Sequence, residues 1–443
     1  MRSRLAVTAL IGSALASIAL LAQRPAPPAE RPFLDAAKDV ARWIDASAIR
    51  TEHGVTWPAD PADPKSVGTS LYSHSPGVVL FLLEMHRATG EAAYLDRARL
   101  GADHLLATID EEKDAGLYTG LAGIAYTLIE TANLTRDAKY RAGAKRAADR
   151  IRTLAKTTDA GVEWNDTTDI IGGSAGIGLF LLYAAKELEE PAYRDLALKA
   201  GQRLIGLAQK DAGGEKWAMS PKFPRLMPNF SHGTAGIAYF LATLSAETGD
   251  ESLLAHAISG AKYLQSVAKT DGDMCLIFHN EPDGKDLYYL SWCHGPAGTA
   301  RLFYRLYQIT RDAQWLEWVN KSARGVMSTG IPEQRTPGYW NNVSQCCGDA
   351  GVAMFFFEIA RPTRKPEYTD FARRVTSYLL SKGTRDEKGL RWVQAENRTQ
   401  PESLVAQTGY MQGASGMGML LLRVDGMSRR RRLGTIFPDN PFD

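Results

Sequence analysis

Gly233-Thr234-Ala235-Gly236-Ile237-Ala238-Tyr239-Phe240-Leu241 joins a Gly-x-x-Gly lead to an apolar helical run, and this junction recurs along the whole 443-residue chain. It returns at Gly120–Gly123 before IAYTLIE, at Gly173–Gly176 before IGLFLLYAAKE, and at Gly295–Gly298, Gly348–Gly351 and Gly413–Gly416. A degenerate copy stands at His74-Ser75-Pro76-Gly77, where His74 takes the place of the first glycine. Seven copies at intervals of roughly 45–65 residues leave room for one helix pair each. Between copies the chain reads as turn then helix. Thr89-Gly90 is a turn signal, and Leu95, Ala98, Leu100 and Leu105 follow near helical spacing. β alternation is scarce, so the pattern predicts an all-α architecture of repeated hairpins.

The glycines need a physical reason. The first is expected to take positive φ and end the loop before each helix. The second lies one turn on, where a missing side chain lets another backbone approach. Interior glycine costs about 1 kcal/mol relative to alanine, and repeating that cost in one role points to crowding around a common centre. Helix N-termini gathered there would also present unsatisfied N–H groups.

Composition narrows the function. The chain is 44% hydrophobic and 23% charged with a formal net charge of +2, ordinary for a globular protein and without a field that would draw it to nucleic acid. The basic run Arg429–Arg432 reads as a solvated patch. At the N-terminus, Arg2 and Arg4 precede an uncharged apolar run from Leu5 to Ala22, followed by Pro25, Pro27 and Pro28. This is the layout of a secretory signal, with Ala14-Leu15-Ala16 as one cleavage site and Ala22 as another. The run also approaches the roughly 17–20 residues of a short membrane span. Residues 1–29 are therefore expected to be a signal peptide or N-terminal membrane anchor with a Pro-rich linker, and residues 30–443 the domain. The protein is expected to be exported, periplasmic or extracellular, and monomeric.

Four cysteines remain: Cys275, Cys293, Cys346 and Cys347. In an exported protein disulfides are the default, and Cys293 bridged to one member of the adjacent Cys346–Cys347 pair is one reading. The leads supply the other. They read Phe230-Ser231-His232-Gly233, Trp292-Cys293-His294-Gly295 and Gln345-Cys346-Cys347-Gly348. If the repeats converge, three thiols meet, and three thiolates with an open fourth position form a workable catalytic zinc arrangement. Spacing alone leaves metal and disulfide both open. Cys275 lies outside any lead and reads as a buried thiol.

Trp-Cys-x-Gly-x-x-Gly at 292–298, Cys-Cys-Gly-x-x-Gly at 346–351, His-Gly-x-x-Gly-Ile at 232–237 and the closing FPDNPF resemble the lanthionine synthetase C-like family. The resemblance implies an α/α toroid (barrel) of seven helical hairpins with zinc near its centre. It implies addition of a cysteine thiol to dehydroalanine or dehydrobutyrine in a peptide, or of glutathione to similar alkenes. By position, Cys293, Cys346 and Cys347 match the metal ligands, in a Cys-Cys-Gly subgroup. His232 matches the histidine that moves the proton, and Asp169 an acidic residue beside it. One departure stands out: several cyclases carry arginine four positions before the first metal cysteine, where this chain has Tyr289.

The residues support that chemistry. A free thiol is mostly protonated at neutral pH, whereas a metal-bound one is ionised outright. Attack on an alkene leaves an enolate needing a proton, which a histidine titrating near neutrality can supply. His232 also has a purely structural reading, bonded to a backbone carbonyl, and Asp169 one as a helix cap. The expected partner is a peptide or small thiol substrate. Competing readings are a zinc-containing peptide-binding protein without turnover, and a carbohydrate-active toroid. The latter needs two carboxylates about 5–10 Å apart, for which the leads offer Asp169 and Asp349.

Overall fold

Each lead starts a helix buried on nearly every side. In the computed structural model, which describes residues 30–442 apart from 224, 430 and the side chain of Ser428, fourteen helices are present. The signal or anchor segment read at residues 1–29 lies outside the described residues. Helix α1 (Pro32–Ala46) is followed by six consecutive pairs. These are α2 (Ser75–Thr89) with α3 (Ala92–Thr108), α4 (Leu121–Thr135) with α5 (Ala138–Leu154), and α6 (Ser174–Glu187) with α7 (Pro191–Gly206). Then come α8 (Thr234–Thr248) with α9 (Glu251–Val267), α10 (Pro296–Thr310) with α11 (Ala313–Met327), and α12 (Asp349–Thr363) with α13 (Pro366–Ser381). The last helix, α14 (Ala414–Ser428), packs against α1, so the seventh hairpin is assembled from the two ends of the domain.

The even-numbered helices pack side by side in a closed ring, α2 to α4 and onward to α14 and back to α2, with the odd-numbered helices outside. This is the α/α toroid. The sequence explains the division. An inner helix such as α8 is flanked on all sides and buries Thr234 through Ala242 without a break, as an element apolar all round must. An outer helix such as α5 buries only one stripe, Tyr140, Ala144, Ala147, Ala148 and Ile151. Three outer helices, α5, α9 and α11, start on capping aspartates, Asp137, Asp250 and Asp312 each accepting a backbone N–H two residues on. Among the described residues no helix is long and apolar enough to cross a membrane.

Two expectations need correction. The helices are accompanied by small antiparallel hairpins, which the scarcity of β alternation concealed because each strand has only two or three residues. They are β1 (Ile49–Thr51) with β2 (Gly54–Thr56), β3 (Lys156–Thr158) with β4 (Gly161–Glu163), and β5 (Gln209–Asp211) with β6 (Gly214–Lys216). The others are β7 (Lys269–Asp271) with β8 (Met274–Leu276), β9 (Thr384–Asp386) with β10 (Gly389–Arg391), and β11 (Gln394–Ala395) with β12 (Leu404–Val405). The hairpins that follow outer helices lie on the next outer helix: β2 on α3, β4 on α7, β6 on α9, β8 on α11 and β10 on α1. Trp164, Trp217 and Trp392, just after such hairpins, donate their indole N–H to Ile151, Leu204 and Leu379 carbonyls at the end of the preceding outer helix (2.7, 2.8 and 2.7 Å).

The second correction concerns the lead glycines. Gly233 has φ −155°, not a positive value. Its requirement is space: a Cβ there would lie 1.7 Å from the Met227 carbonyl oxygen, and one at Gly236 would lie 2.1 Å from that of Phe230. Both glycines of the pair serve close backbone approach, the lead folding back onto the first turn of its own helix.

That folding lines up one residue from every lead, the one two positions before the first glycine. Ser231 N–H donates to the Cys293 carbonyl (3.0 Å), Cys293 N–H to Cys346 (3.0 Å), Cys346 N–H to Met411 (3.0 Å), and Met411 N–H to Tyr72 (2.8 Å). Tyr72 N–H continues to Tyr118 (2.9 Å), Tyr118 N–H to Ile171 (2.9 Å), and Ile170 N–H returns to Ser231 (3.2 Å). A ring of seven backbone hydrogen bonds, each contributing about 1 kcal/mol net, thus ties the leads together at one end of the toroid. Toward the other end of the inner helices the segment 433–442 threads between them. Phe437 packs on Tyr118, Tyr126 and Tyr410, Asp439 accepts from the Tyr118 hydroxyl (3.1 Å), and Asn440 donates to Glu358 (2.8 Å).

Candidate functional site

The backbone ring puts its two lead cysteines side by side, and Cys347 follows Cys346 directly. The Sγ atoms of Cys293, Cys346 and Cys347 all lie within 4.8 Å of one another. Cys293 to Cys347 is 3.2 Å and Cys347 to Cys346 is 3.3 Å, far longer than an S–S bond. All four cysteines are free thiols. The three are 2%, 3% and 9% exposed. The Tyr72 hydroxyl donates to Cys346 Sγ (3.0 Å), and Gln412 Nε2 bonds that hydroxyl (3.0 Å) while lying 4.0 Å from Cys347 Sγ. Burial acts to raise Cys346, but hydrogen bonds from Cys293, Cys347 and Tyr72 hold it well below the usual thiol range. Cys293 is pushed well above that range by burial and by its sulfur neighbours. One thiolate with two thiols is what such a cluster sustains without a cation, because like charges at contact cannot all ionise.

The donor set fits zinc. Tetrahedral zinc–thiolate bonds of about 2.3 Å separate sulfurs by about 3.8 Å, which the three side chains reach by small rotations. Three soft ligands would leave a fourth position open on such an ion, and Cys347 lines an open cleft of about 430 Å³.

His232 lies beside this cluster, in the same lead as Ser231. Its Nδ1 is 2.6 Å from Asp169 Oδ2, while Asp169 Oδ1 accepts the backbone N–H groups of Gly172 and Gly173 (3.0 and 2.9 Å). Asp169 therefore holds the turn of the α6 lead and orients His232; it is not the cap of α6, whose N-cap residue is Gly173. The His232 backbone N–H is held by Asn229 Oδ1 (2.9 Å). Burial acts to lower the imidazole, but the Asp169 carboxylate outweighs it and raises His232 above its ordinary value.

Residues outside the leads complete the site. His279, in the segment after β8, stacks on His294 (centroids 4.2 Å, planes 6° apart) and tilts against Tyr289 (4.5 Å). His294 sits 5.6 Å from His232 ring to ring, lines the cleft, and has a buried Nδ1 without a hydrogen-bond partner. Burial and the neighbouring histidines hold it well below its ordinary value, so it is neutral. Nothing in the repeat marks His279. Tyr289 packs on Trp340 at 5.2 Å, and the opposite wall of the cleft comes from the segment 396–407 around β12. His74 bonds Ser70 (2.7 Å) and packs over Gly68. Trp292 packs between Tyr118 and Phe230. Cys275 is buried on β8, its thiol pushed up to about 11 by burial. Asp349, the other lead carboxylate, is bound by Arg335 (2.8 Å) and the Tyr339 hydroxyl.

Comparison with known proteins agrees with this construction. Residues 65–434 match the model of the family described as lanthionine synthetase C-like protein. Among solved structures, nisin cyclase is similar with a TM-score of 0.62 at 16% identity, covering 89% of this chain and 94% of that one. An inactive variant of an α-1,6-mannanase of Salegentibacter sp., bound to α-1,6-mannotetrose, reaches 0.51 at 15% identity over 88% and 98% of the two chains. A family 76 mannosidase of Bacteroides thetaiotaomicron reaches 0.52 at 13% identity over 90% and 99%. At these identities the likeness is one of fold.

Proposed function

The chain belongs to the lanthionine synthetase C-like family, and on that premise we propose that it adds a thiol to a dehydroamino acid or similar electrophile in a peptide, forming a thioether. The observation that carries this reading is the convergence of Cys293, Cys346 and Cys347 beside a carboxylate-oriented histidine. Zinc held by these three cysteines would keep a substrate thiol ionised at neutral pH. Tyr72 and Gln412 fix the sulfur positions, and the aromatic wall of Tyr289 and Trp340 borders the cleft in which the alkene lies.

The substrate sulfur bonds to the β-carbon of the alkene and the electron pair moves onto the carbonyl. His232, its Nδ1 held by Asp169, delivers a proton from Nε2 to the α-carbon. It recovers one from the proton the thiol has released, so the sum is addition of S–H across the double bond. A carbohydrate-cleaving reading has less support: Asp169 and Asp349 are each committed to other partners.

We also place the protein outside the cytoplasm, on the strength of Arg2, Arg4 and the apolar run Leu5–Ala22. The test of function offers cysteine-type thiols and dehydroalanine peptides to the purified, zinc-supplemented protein and follows thioether formation by mass spectrometry. Product that disappears on chelation and returns with zinc is expected. Zinc-replete protein that binds such peptides but adds no thiol would replace the enzyme with a binding protein.

A further inference from the structure

The segment between α13 and the α14 lead is unlike its counterparts. Among the described residues it is the only connection between an outer helix and the next lead that carries two strand pairs, β9–β10 and then β11–β12. The stretch joining β11 to β12, Glu396-Asn397-Arg398-Thr399-Gln400-Pro401-Glu402-Ser403, is polar apart from one proline and forms a wall of the cleft that Cys347 lines.

Arg398 is the one cationic side chain lining that cleft among the described residues. Glu396, the one carboxylate lining the cleft among the described residues, accepts a hydrogen bond from Gln407 (2.6 Å). Arg398 is half-buried. Its neighbour is the Tyr289 side chain, which lines the same cleft. Tyr289 interacts both with the sulfur cluster and with Arg398. A guanidinium has more N–H donors in its planar fork than one hydroxyl can engage, and those left over suit a planar anion. A zinc tris-thiolate would carry net negative charge, so an anionic substrate needs such a cation to enter.

We propose that Arg398 binds a carboxylate of the substrate, making the cleft selective for acidic thiols or acidic acceptor peptides over their neutral analogues. The proposal rests on the thiol-addition reading of the same cleft. The carboxylate belongs either to the thiol or to the alkene-bearing partner.

The test is calorimetric binding to the purified, zinc-loaded full chain, with two arms. One compares N-acetylcysteine with its amide, the other N-acetyl-dehydroalanine with its amide. In one arm the wild type should prefer the acid by about tenfold or more, the range of a charge-assisted hydrogen bond. Arg398→Gln should bring the acid to the affinity of the amide, and Arg398→Lys should keep part of the preference. Zinc content and melting temperature, unchanged in both variants, show that the fold is intact. Equal binding of acid and amide by the wild type in both arms would overturn the assignment, as would an acid preference that survives Arg398→Gln. Acid preference at Arg398 without thioether formation would leave the carboxylate site standing and remove the enzyme reading, so the two failures are distinguishable.

Discussion

Cys293 and Tyr118 occupy the same place in two leads of one ring. Each stands two residues before a lead glycine, and each donates and accepts one link of the backbone ring. Their side chains go to different work. Tyr118 turns inward, packs on Trp292 and donates its hydroxyl to Asp439, anchoring the C-terminal segment. Cys293 joins Cys346 and Cys347 in a cluster that meets the cleft. The α4 and α6 leads use these positions for packing, whereas the α10 and α12 leads use them for Cys293 and Cys346, with Cys347 and, in the α8 lead, His232 one residue on. The difference teaches that the backbone ring provides equivalent positions and that substitution there and at the next residue provides the chemistry.

The sharpest way to break this comparison is to exchange side chains while leaving the ring alone. Cys293→Ala should abolish zinc binding, as should Cys346→Ala combined with Cys347→Ala, because two or fewer sulfurs no longer hold the ion. Met411→Leu, at the equivalent ring position with similar volume, should leave zinc content at wild-type level. Metal analysis of the purified variants decides it, and loss of zinc in Met411→Leu would mean that the ring itself, not the thiols, limits binding.

His232 tests whether the two chemical roles are separable. His232→Ala should retain zinc yet slow thioether formation by roughly 10²–10⁴-fold, the range for a positioned acid or base. Loss of zinc would make the histidine a ligand, and an unaffected rate would make it structural. The effect of its partner is smaller. Asp169 raises the His232 imidazole, so activity that needs the protonated ring is present at low pH and lost as pH rises through that raised value. Asp169→Asn removes the carboxylate charge and should move this falling limb to lower pH in a rate–pH profile. An unmoved limb would assign it to another group.

Much of this was legible in the residues. Seven leads meant seven inner helices, and their shared register meant that Cys293, Cys346, Cys347 and His232 would meet. Asp169 was legible only through family resemblance, because an aspartate before a helix usually caps it, whereas this one accepts the Gly172 and Gly173 N–H groups in the turn before α6. Gly233 misled in mechanism while correct in place, since close approach and positive φ both select glycine and spacing cannot separate them. The strand pairs left a signal that went unread: Gly54-Val55-Thr56-Trp57, Gly161-Val162-Glu163-Trp164, Gly214-Glu215-Lys216-Trp217 and Gly389-Leu390-Arg391-Trp392 share Gly-x-x-Trp at the ends of hairpins too short to alternate. His279 and Arg398 lie outside every repeat, and only the folded chain brings the first onto His294 and the second to the cleft.

The central claim is that Cys293, Cys346 and Cys347 together hold zinc with a position free for a substrate sulfur. Zinc K-edge absorption on the purified full-length protein tests it most directly. The account predicts about one zinc per chain with three sulfur neighbours at about 2.3 Å, and a fourth sulfur when a thiol substrate is added. Protein that is active without zinc and carries a Cys293 disulfide by intact mass would contradict it.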